Sequence, residues 1–161
     1  MRGAPMPAKA GRKTVSLLDL LRGESLLGIS VDDSRGKVIT ELGEPTHQDV
    51  FVASGDKLYK YHDIEMAFFR DNDQLYYVVL YGKGRAGKFR CPWFITHRGR
   101  ITRDISYKRM INLLKNYKIE YCSRKSVGED DKRIDIKNGE IIFFKNDEGA
   151  FLLYGIYLNK I

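Results

Sequence analysis

Residues 63 to 81 read DIEMAFFRDNDQLYYVVLY and contain two runs of apolar and aromatic residues. The cluster from Arg70 to Asp73 separates the two runs and is rich in Asp and Asn. Strand-like runs on either side of such a cluster are typical of a β-hairpin, because Asp and Asn favour tight turns. The stretch therefore predicts two adjacent antiparallel strands.

A second copy of this pattern lies about 75 residues later, where residues 138 to 158 read NGEIIFFKNDEGAFLLYGIYL. Helical patterns precede both hairpins, and the apolar face of the first recurs in the second after 72 residues: Val38, Ile39 and Leu42, then Met110, Ile111 and Leu114. The matched order predicts an α+β fold made of two tandem units, each a helix followed by a four-stranded antiparallel meander. We expect the units to span residues 14–82 and 99–161, with Phe68 or Phe69 and Phe143 or Phe144 in equivalent core positions.

Capping signals predict the helices in more detail. Residues 14 to 23 have leucines at helical spacing, a cap at Thr14 or Ser16, and Gly23 as a stop. A second helix is expected to begin at Ser30 and to end at Gly43. A third is expected from Ser106 to about Lys115, and two strands from His47 to Tyr61 around a Ser-Gly-Asp turn.

Two basic segments flank the first unit. Residues 1–13 have four cations and no apolar periodicity, which predicts a disordered tail. Residues 83–98 are rich in glycine and cations, and we interpret them as a flexible basic linker. The spacing from Gly82 to Lys88 matches that of a phosphate-binding loop, but Phe89 stands where that loop needs Ser or Thr, and Pro92 would interrupt the following helix.

Composition restricts the class of protein. The chain has 161 residues, of which 43% are apolar and 30% charged, as in an ordinary globular domain, and its net charge is +7. No apolar run approaches the roughly 20 residues that a transmembrane helix needs, so no membrane association is expected. The N-terminal residues do not resemble a signal peptide, which favours a cytoplasmic location with Cys91 and Cys122 as reduced thiols.

The sequence does not assemble a catalytic or metal-binding set. His47, His62 and His97 are scattered, and none has a second ligand at metal-binding spacing. Acidic clusters such as Asp71 and Asp73 fall in predicted turns, where local hydrogen bonding explains them. We therefore expect a non-enzyme that needs no cofactor and no metal.

The aromatic residues are the candidate binding residues, because alternation along a strand turns some of them away from the core. An exposed tyrosine-rich face suits protein binding, although the same rings could serve cross-strand packing or stack on single-stranded nucleic acid. The predicted partner-binding residues are Tyr59, Tyr61, Tyr76, Tyr81, Trp93, Tyr154 and Tyr157.

The repeated pattern resembles the family of the beta-lactamase inhibitor protein and the related small outer-membrane assembly lipoproteins. The resemblance rests on GISVDDSRGKVITELGEP leading to YKYHDIEMAFFRDNDQLYYVVLY, and on DISYKRMINLLKNYKIEY leading to the second hairpin. It implies two helix-and-sheet units side by side and a concave aromatic surface that binds another protein. Tandem units of this kind are also similar to immunity proteins of bacterial toxin systems.

The leading hypothesis is therefore a cytoplasmic protein-binding module, such as an immunity or inhibitor protein whose partner is a toxin or an enzyme. The alternative is a nucleic-acid-binding protein that uses the basic tail, the linker cations and the nearby rings of Phe89 and Trp93. The cations of that alternative are Lys83, Arg85, Lys88, Arg90, Arg98, Arg100 and Arg103.

Overall fold

The computed structural model describes residues 13–96, 101–125 and 128–161. The expected tail lies outside this part of the chain except for Lys13, which is exposed. The described residues contain three helices, α1 (Leu17–Arg22), α2 (Arg35–Leu42) and α3 (Tyr107–Asn116). The strands are β1 (Val15–Ser16), β2 (His47–Val50), β3 (Lys57–Tyr61), β4 (Ile64–Phe68), β5 (Leu75–Tyr81), β6 (Ile95–Thr96), β7 (Cys122–Arg124), β8 (Asp131–Ile136), β9 (Gly139–Lys145) and β10 (Phe151–Leu158).

Eight of the strands form one antiparallel sheet in the order β2-β3-β4-β5-β10-β9-β8-β7. Strands β2 to β5 form a first meander and β7 to β10 a second, and the two meet where β5 pairs with β10. Strands β1 and β6 pair separately and in parallel. The α+β class, the antiparallel sheet and both hairpins agree with the sequence-based expectation.

Local capping explains the boundaries of α1 and α3. Ser16 caps α1 through a capping box, in which its Oγ accepts from the Asp19 amide at 3.1 Å and its own amide donates to Asp19 Oδ2 at 3.2 Å. Gly23 ends α1 with a φ of 95°, a left-handed conformation that glycine adopts without steric cost. Ser106 caps α3, so the predictions for these helices are confirmed.

The predicted start of α2 at Ser30 is wrong. The helix is capped by Ser34, whose Oγ accepts from the Lys37 amide at 3.1 Å. Ser30 instead donates its amide to Asp33 Oδ2 at 2.8 Å and so takes part in a local turn. Asp32 has a φ of 76°, which no residue inside a right-handed helix can adopt, and this explains why the helix cannot begin earlier.

The core lies between the helices and one face of the sheet. A single hydrophobic cluster joins the leucines of α1, the inner faces of α2 and α3, and alternate residues of the central strands. Phe68 and Phe143 are fully buried in this cluster, whereas the neighbouring Phe69 and Phe144 are both 43% exposed. The inward ring of each Phe pair is therefore the first one.

Part of the segment after β5 packs into the folded core, so its interpretation as a flexible linker is wrong for those residues. The amides of Gly82 and Lys83 both donate to the Tyr154 carbonyl, at 2.9 and 3.0 Å, which fastens the loop to β10. Phe89 and Phe94 are buried in the core. In the described chain from Gly82 to Thr96 no helix follows the loop, so the residues do not form a nucleotide-binding loop.

The segments that precede α2 and α3 each pack against the opposite meander. Helix α1 lies at the turn between β8 and β9, where Asn138 donates its Nδ2 to the carbonyls of Leu20 at 3.1 Å and Glu24 at 3.0 Å. The residues before β6 lie at the turn between β3 and β4, where the Arg90 amide donates to Asp63 Oδ2 at 2.6 Å. We call these places the Asn138 corner and the Asp63 corner.

Candidate binding face

The second face of the eight-stranded sheet is not covered by any helix in the described part of the chain. Leu58, Ala67, Val79 and Ile142 are buried but are not members of the core cluster, so they lie on this second face. Because no described helix packs on this face, other side chains must bury these four residues. Two of the four have aromatic cross-strand neighbours on this face, since Ala67 pairs with Tyr77 and Val79 pairs with Tyr157.

The aromatic side chains of this face form two clusters of contacting rings, which adjoin along β5, where Tyr77 and Tyr81 lie on the same face. Phe69 stacks on Tyr76 with ring centroids 4.3 Å apart, and Tyr76 lies edge-on to Tyr77 at 5.1 Å. Beyond Tyr77, Tyr81 contacts the rings of the second meander. Its ring centroid is 5.6 Å from that of Tyr154 and 5.9 Å from that of Tyr157, and Tyr154 contacts Phe144 at 4.7 Å. The aromatic band is defined here as Phe69, Tyr76, Tyr77, Tyr81, Phe144, Tyr154 and Tyr157.

Two of these tyrosines, Tyr76 and Tyr154, lie at β-bulges. The pairing of β4 with β5 shifts register between Ala67 and Phe68, which leaves Tyr76 as the extra residue. The pairing of β9 with β10 shifts between Leu153 and Gly155, which leaves Tyr154 as the extra residue. A bulge redirects the side chain of the extra residue, and here it allows each tyrosine ring to contact the outward Phe of its own hairpin.

Gly155 makes room for the centre of the band. A Cβ atom built on Gly155 would lie 2.9 Å from Cε2 of Tyr157 and 3.3 Å from Cγ2 of Val79. The first of these separations is shorter than any ordinary carbon contact. The Tyr157 ring can therefore lie across the strand only because residue 155 has no side chain.

The phenol groups at the centre of the band are linked by hydrogen bonds. Tyr77 and Tyr157 both hydrogen-bond to Tyr81, and burial raises the pKa of all three groups above the ordinary value for tyrosine. Burial, together with a 3.2 Å hydrogen bond to Asp56 Oδ2, raises the pKa of Tyr76 to about 12. These phenols are neutral near pH 7 and can contact a partner as apolar rings with polar tips.

Four of the seven predicted partner-binding residues lie in the band, namely Tyr76, Tyr81, Tyr154 and Tyr157. The prediction is wrong for Tyr59 and Tyr61, which are only 3% and 2% exposed. Both rings face the core, where Tyr59 packs on Phe68 and Tyr61 packs on Phe94. Both phenol groups have internal partners: Tyr61 donates to the Gly43 carbonyl at 2.9 Å, and the Tyr59 oxygen accepts from Nη1 of Arg35 at 3.2 Å.

Trp93, the remaining predicted residue, lies away from the band. It is 38% exposed, packs edge-on against Phe94, and donates its indole N–H to the Leu42 carbonyl at 3.1 Å. The residue thus anchors the segment before β6 to the end of α2. It belongs to a different surface from the aromatic band.

The sequence contains a signal that would have distinguished the two faces. Lys60 and Glu65 form an ion pair at 3.5 Å on the helix-free face. Tyr59 and Tyr61 alternate with Lys60, so the charged residue marks its face as outward and the tyrosines as inward. Alternation along β5 likewise places Tyr77 on the same face as Val79 and Tyr81, and so in the band. Phe69 and Phe144 also lie in the band but are not among the predicted partner-binding residues.

A pocket of about 270 Å³ lies beside the band at the Asp63 corner. Asp63 accepts hydrogen bonds from Nε and Nη2 of Arg90 at 3.3 and 3.1 Å, and Nη1 of Arg103 is 4.0 Å away. Lys83 holds its Nζ 4.9 Å from the centroid of the Tyr81 ring and also lines the pocket. The corner pocket therefore adjoins the band through Tyr81.

The described residues show no grouping of three or more His, Cys, Asp or Glu side chains that could hold a metal ion. Burial raises the pKa of Cys91 to about 11, which keeps this thiol protonated near pH 7 and makes it a poor nucleophile. Cys122 is exposed on β7.

None of the helices in the described chain has the length and apolar character that a membrane span requires.

Comparison of the chain with models of protein families, with curated proteins and with solved structures found no match.

Proposed function

We propose that the chain is a non-enzymatic module that binds another protein through the aromatic band. The observation that carries this proposal is the band itself: seven rings in two contacting clusters on the one sheet face that the described helices leave uncovered. Tyrosine offers a large contact area at low entropic cost and is enriched among residues that dominate binding energy.

The surroundings of the band favour a partner with an acidic surface. Lys83 and the cations of the Asp63 corner lie at one side of Tyr81. An interface with an apolar centre and a charged rim is the usual anatomy of a protein-binding site. The proposed partner is thus a protein that presents an apolar patch bordered by carboxylates, as a toxin or enzyme neutralised by an immunity or inhibitor protein could. A cytoplasmic location is part of this proposal.

The proposal includes two tandem units as the origin of the face. Several correspondences support it, beginning with the caps Ser34 and Ser106, which are 72 residues apart. The bulged Tyr76 and Tyr154 occupy the same place in the register of their hairpins. Their rings pack on Phe69 and Phe144, which are equally exposed. Repetition of one bulge and its ring contact is what duplication of a single unit would produce.

Affinity capture from an extract of the producing cells, followed by calorimetry with the purified partner, tests the function. The test variant carries Phe144→Ser and Tyr154→Ser, and the control is Tyr117→Ser, at a ring that is 42% exposed outside the band. We expect the control to bind like the unaltered protein and the double variant to bind at least ~10-fold more weakly, since hot-spot truncations cost about 2 kcal/mol or more. Equal binding by the double variant, or recovery of no specific partner, would contradict the proposal.

Nucleic-acid binding is the weaker candidate. It is favoured by the cations Lys83 and Arg85 beside the half-exposed ring of Tyr81. Phe89, one of the rings expected to stack on bases, is buried, and Arg98 and Arg100 lie outside the described residues. Affinity for single-stranded DNA or RNA that falls steeply with salt would support this candidate.

A further inference from the structure

We propose that the corner pocket is a binding site for a phosphate monoester. The pocket lies at the Asp63 corner, between the loop that follows β5 and the segment that precedes α3. This inference goes beyond the protein-binding function and does not depend on it.

Positive charge dominates the pocket. Its lining includes five cationic side chains and two carboxylates, a surplus of three positive charges. Lys60 is engaged by Glu65 at 3.5 Å, and Arg90 is engaged by Asp63 at 3.1 Å. The described part of the chain places no carboxylate within ion-pairing distance of Lys83 or Arg85, which also line the pocket. Two cations are therefore available to an anion without breaking an existing ion pair. The five cations are Lys60, Lys83, Arg85, Arg90 and Arg103.

Arg103 supplies a guanidinium at the wall of the pocket. Its Nη2 donates to the Ala86 carbonyl at 2.7 Å, but its Nε is buried and has no hydrogen-bond partner among the described residues. Because Nε is covered by protein atoms, the N–H groups that can meet an oxyanion are those at the partly exposed Nη end of the guanidinium, which Ala86 and Asp63 hold in place.

The size and charge of the pocket select the ligand. A volume of about 270 Å³ is below the range of pockets that enclose drug-sized molecules, so the site fits a phosphate with a small attached group. A phosphate monoester carries about −1.5 to −2 charges at pH 7, which matches the surplus better than the single charge of a diester. Tyr81 forms one wall, where its ring can contact the group that bears the phosphate.

Titration of the full chain with inorganic phosphate, monitored by amide shifts in two-dimensional NMR, tests the site against chloride at equal ionic strength. We expect saturable shifts of the Gly82 and Lys83 amides. Replacing Arg103 by Gln should weaken phosphate binding ~10-fold or more, because a hydrogen bond to a charged group is lost. Arg103→Lys should weaken it less than Arg103→Gln, because the ammonium keeps the positive charge but loses the planar set of guanidinium donors.

Two further variants keep the test decisive if Arg103 variants unfold. Arg85→Gln changes an exposed residue and should weaken binding ~3-fold, whereas the control Lys115→Gln, exposed on α3, should leave it unchanged. Equal affinity in Arg85→Gln and the unaltered chain, or shifts that chloride reproduces, would overturn the proposal. In a second arm, phenyl phosphate should bind the pocket more tightly than its methyl diester, methyl phenyl phosphate. The reverse order would show that the site takes diesters and would also overturn it.

Discussion

The Asp63 and Asn138 corners occupy corresponding turns of the two meanders but hold the opposite meander's leading segment in different ways. Asn138 is only 5% exposed and acts as a neutral donor to two backbone carbonyls. Asp63 is a charged acceptor for the amide and guanidinium of Arg90, with Arg103 near it. The Asn138 corner is thus a closed structural joint, whereas the Asp63 corner is an open, positively charged pocket.

This difference shows how one structural joint can serve two purposes. Both corners fasten a segment that precedes a helix, and either a neutral amide or an ion pair can do that. Charge, however, brings counter-charges with it: the cations Arg90 and Arg103 lie beside the Asp63 carboxylate, whereas the Asn138 amide donates to backbone carbonyls. The corner that uses charge is the one that gains an anion site.

The largest expected effect compares the inward and outward Phe rings of the two meanders. Replacing Phe68 or Phe143 by Ala should lower the free energy of unfolding by about 3 to 5 kcal/mol each, because both rings are fully buried. The same change at Phe69 or Phe144 should cost about 1 kcal/mol or less of stability. Urea unfolding measures all four variants, and similar small losses at Phe143 and Phe144 would contradict the assigned register.

The next largest effect is expected when Asn138 and Asp63 are each replaced by the residue type found at the other corner. Asn138→Asp should lower the free energy of unfolding by about 2 to 3 kcal/mol, because a buried carboxylate would face the carbonyl oxygens of Leu20 and Glu24. Asp63→Asn should cost about 1 kcal/mol, because its oxygen can still accept from the Arg90 amide. Chemical denaturation of both variants is the measurement. A larger loss in Asp63→Asn would show that the charged corner is the more structural one.

The smallest effect concerns pH and the tyrosines, three of which belong to the first meander. The raised pKa values of Tyr76, Tyr77, Tyr81 and Tyr157 mean that the folded state keeps protons that the unfolded state loses above pH ~10. Stability should therefore be unaffected below pH ~10 and should fall as the pH rises from there towards about 12, where Tyr76 ionises in the folded state.

Urea midpoints between pH 8 and 11 measure this fall. Tyr76→Phe should make the fall shallower, because one group that releases a proton on unfolding is removed, and Tyr117→Phe outside the band serves as the control. A fall of unchanged steepness in Tyr76→Phe would contradict the assignment.

Local signals made much of the fold predictable. Ser16, Gly23 and Ser106 are strong caps, and the Asp/Asn cluster after Phe69 can only be a turn, so the helices and hairpins followed from nearby residues. Ser30 and Ser34 are equally good caps by composition, and the left-handed backbone at Asp32 that decides between them is set by contacts outside the segment. One such contact is the Asp32 amide, which donates to the Leu75 carbonyl at 2.8 Å.

The site was less predictable because it depends on register and on distant pairing. The bulge at Tyr76 cannot be derived from its own strand, since it appears only when β5 pairs with β4. The pairing of β5 with β10 brings Tyr81 against Tyr157 over a separation of 76 residues. Arg103 meets Asp63 only because the loop after β5 folds back against the chain before α3. No local pattern encodes those three contacts.

Helix α1 packs against the second meander, and this has a consequence for synthesis on the ribosome. The leucines of α1 are made first, but the Asn138 that holds this helix is made more than a hundred residues later, and β10, the partner of β5, follows it. The first meander must therefore leave the ribosome with one strand edge unpaired and one helix undocked. At a synthesis rate of about 5 to 20 residues per second, that exposed state lasts several seconds, during which a chaperone or a neighbouring nascent chain can bind it.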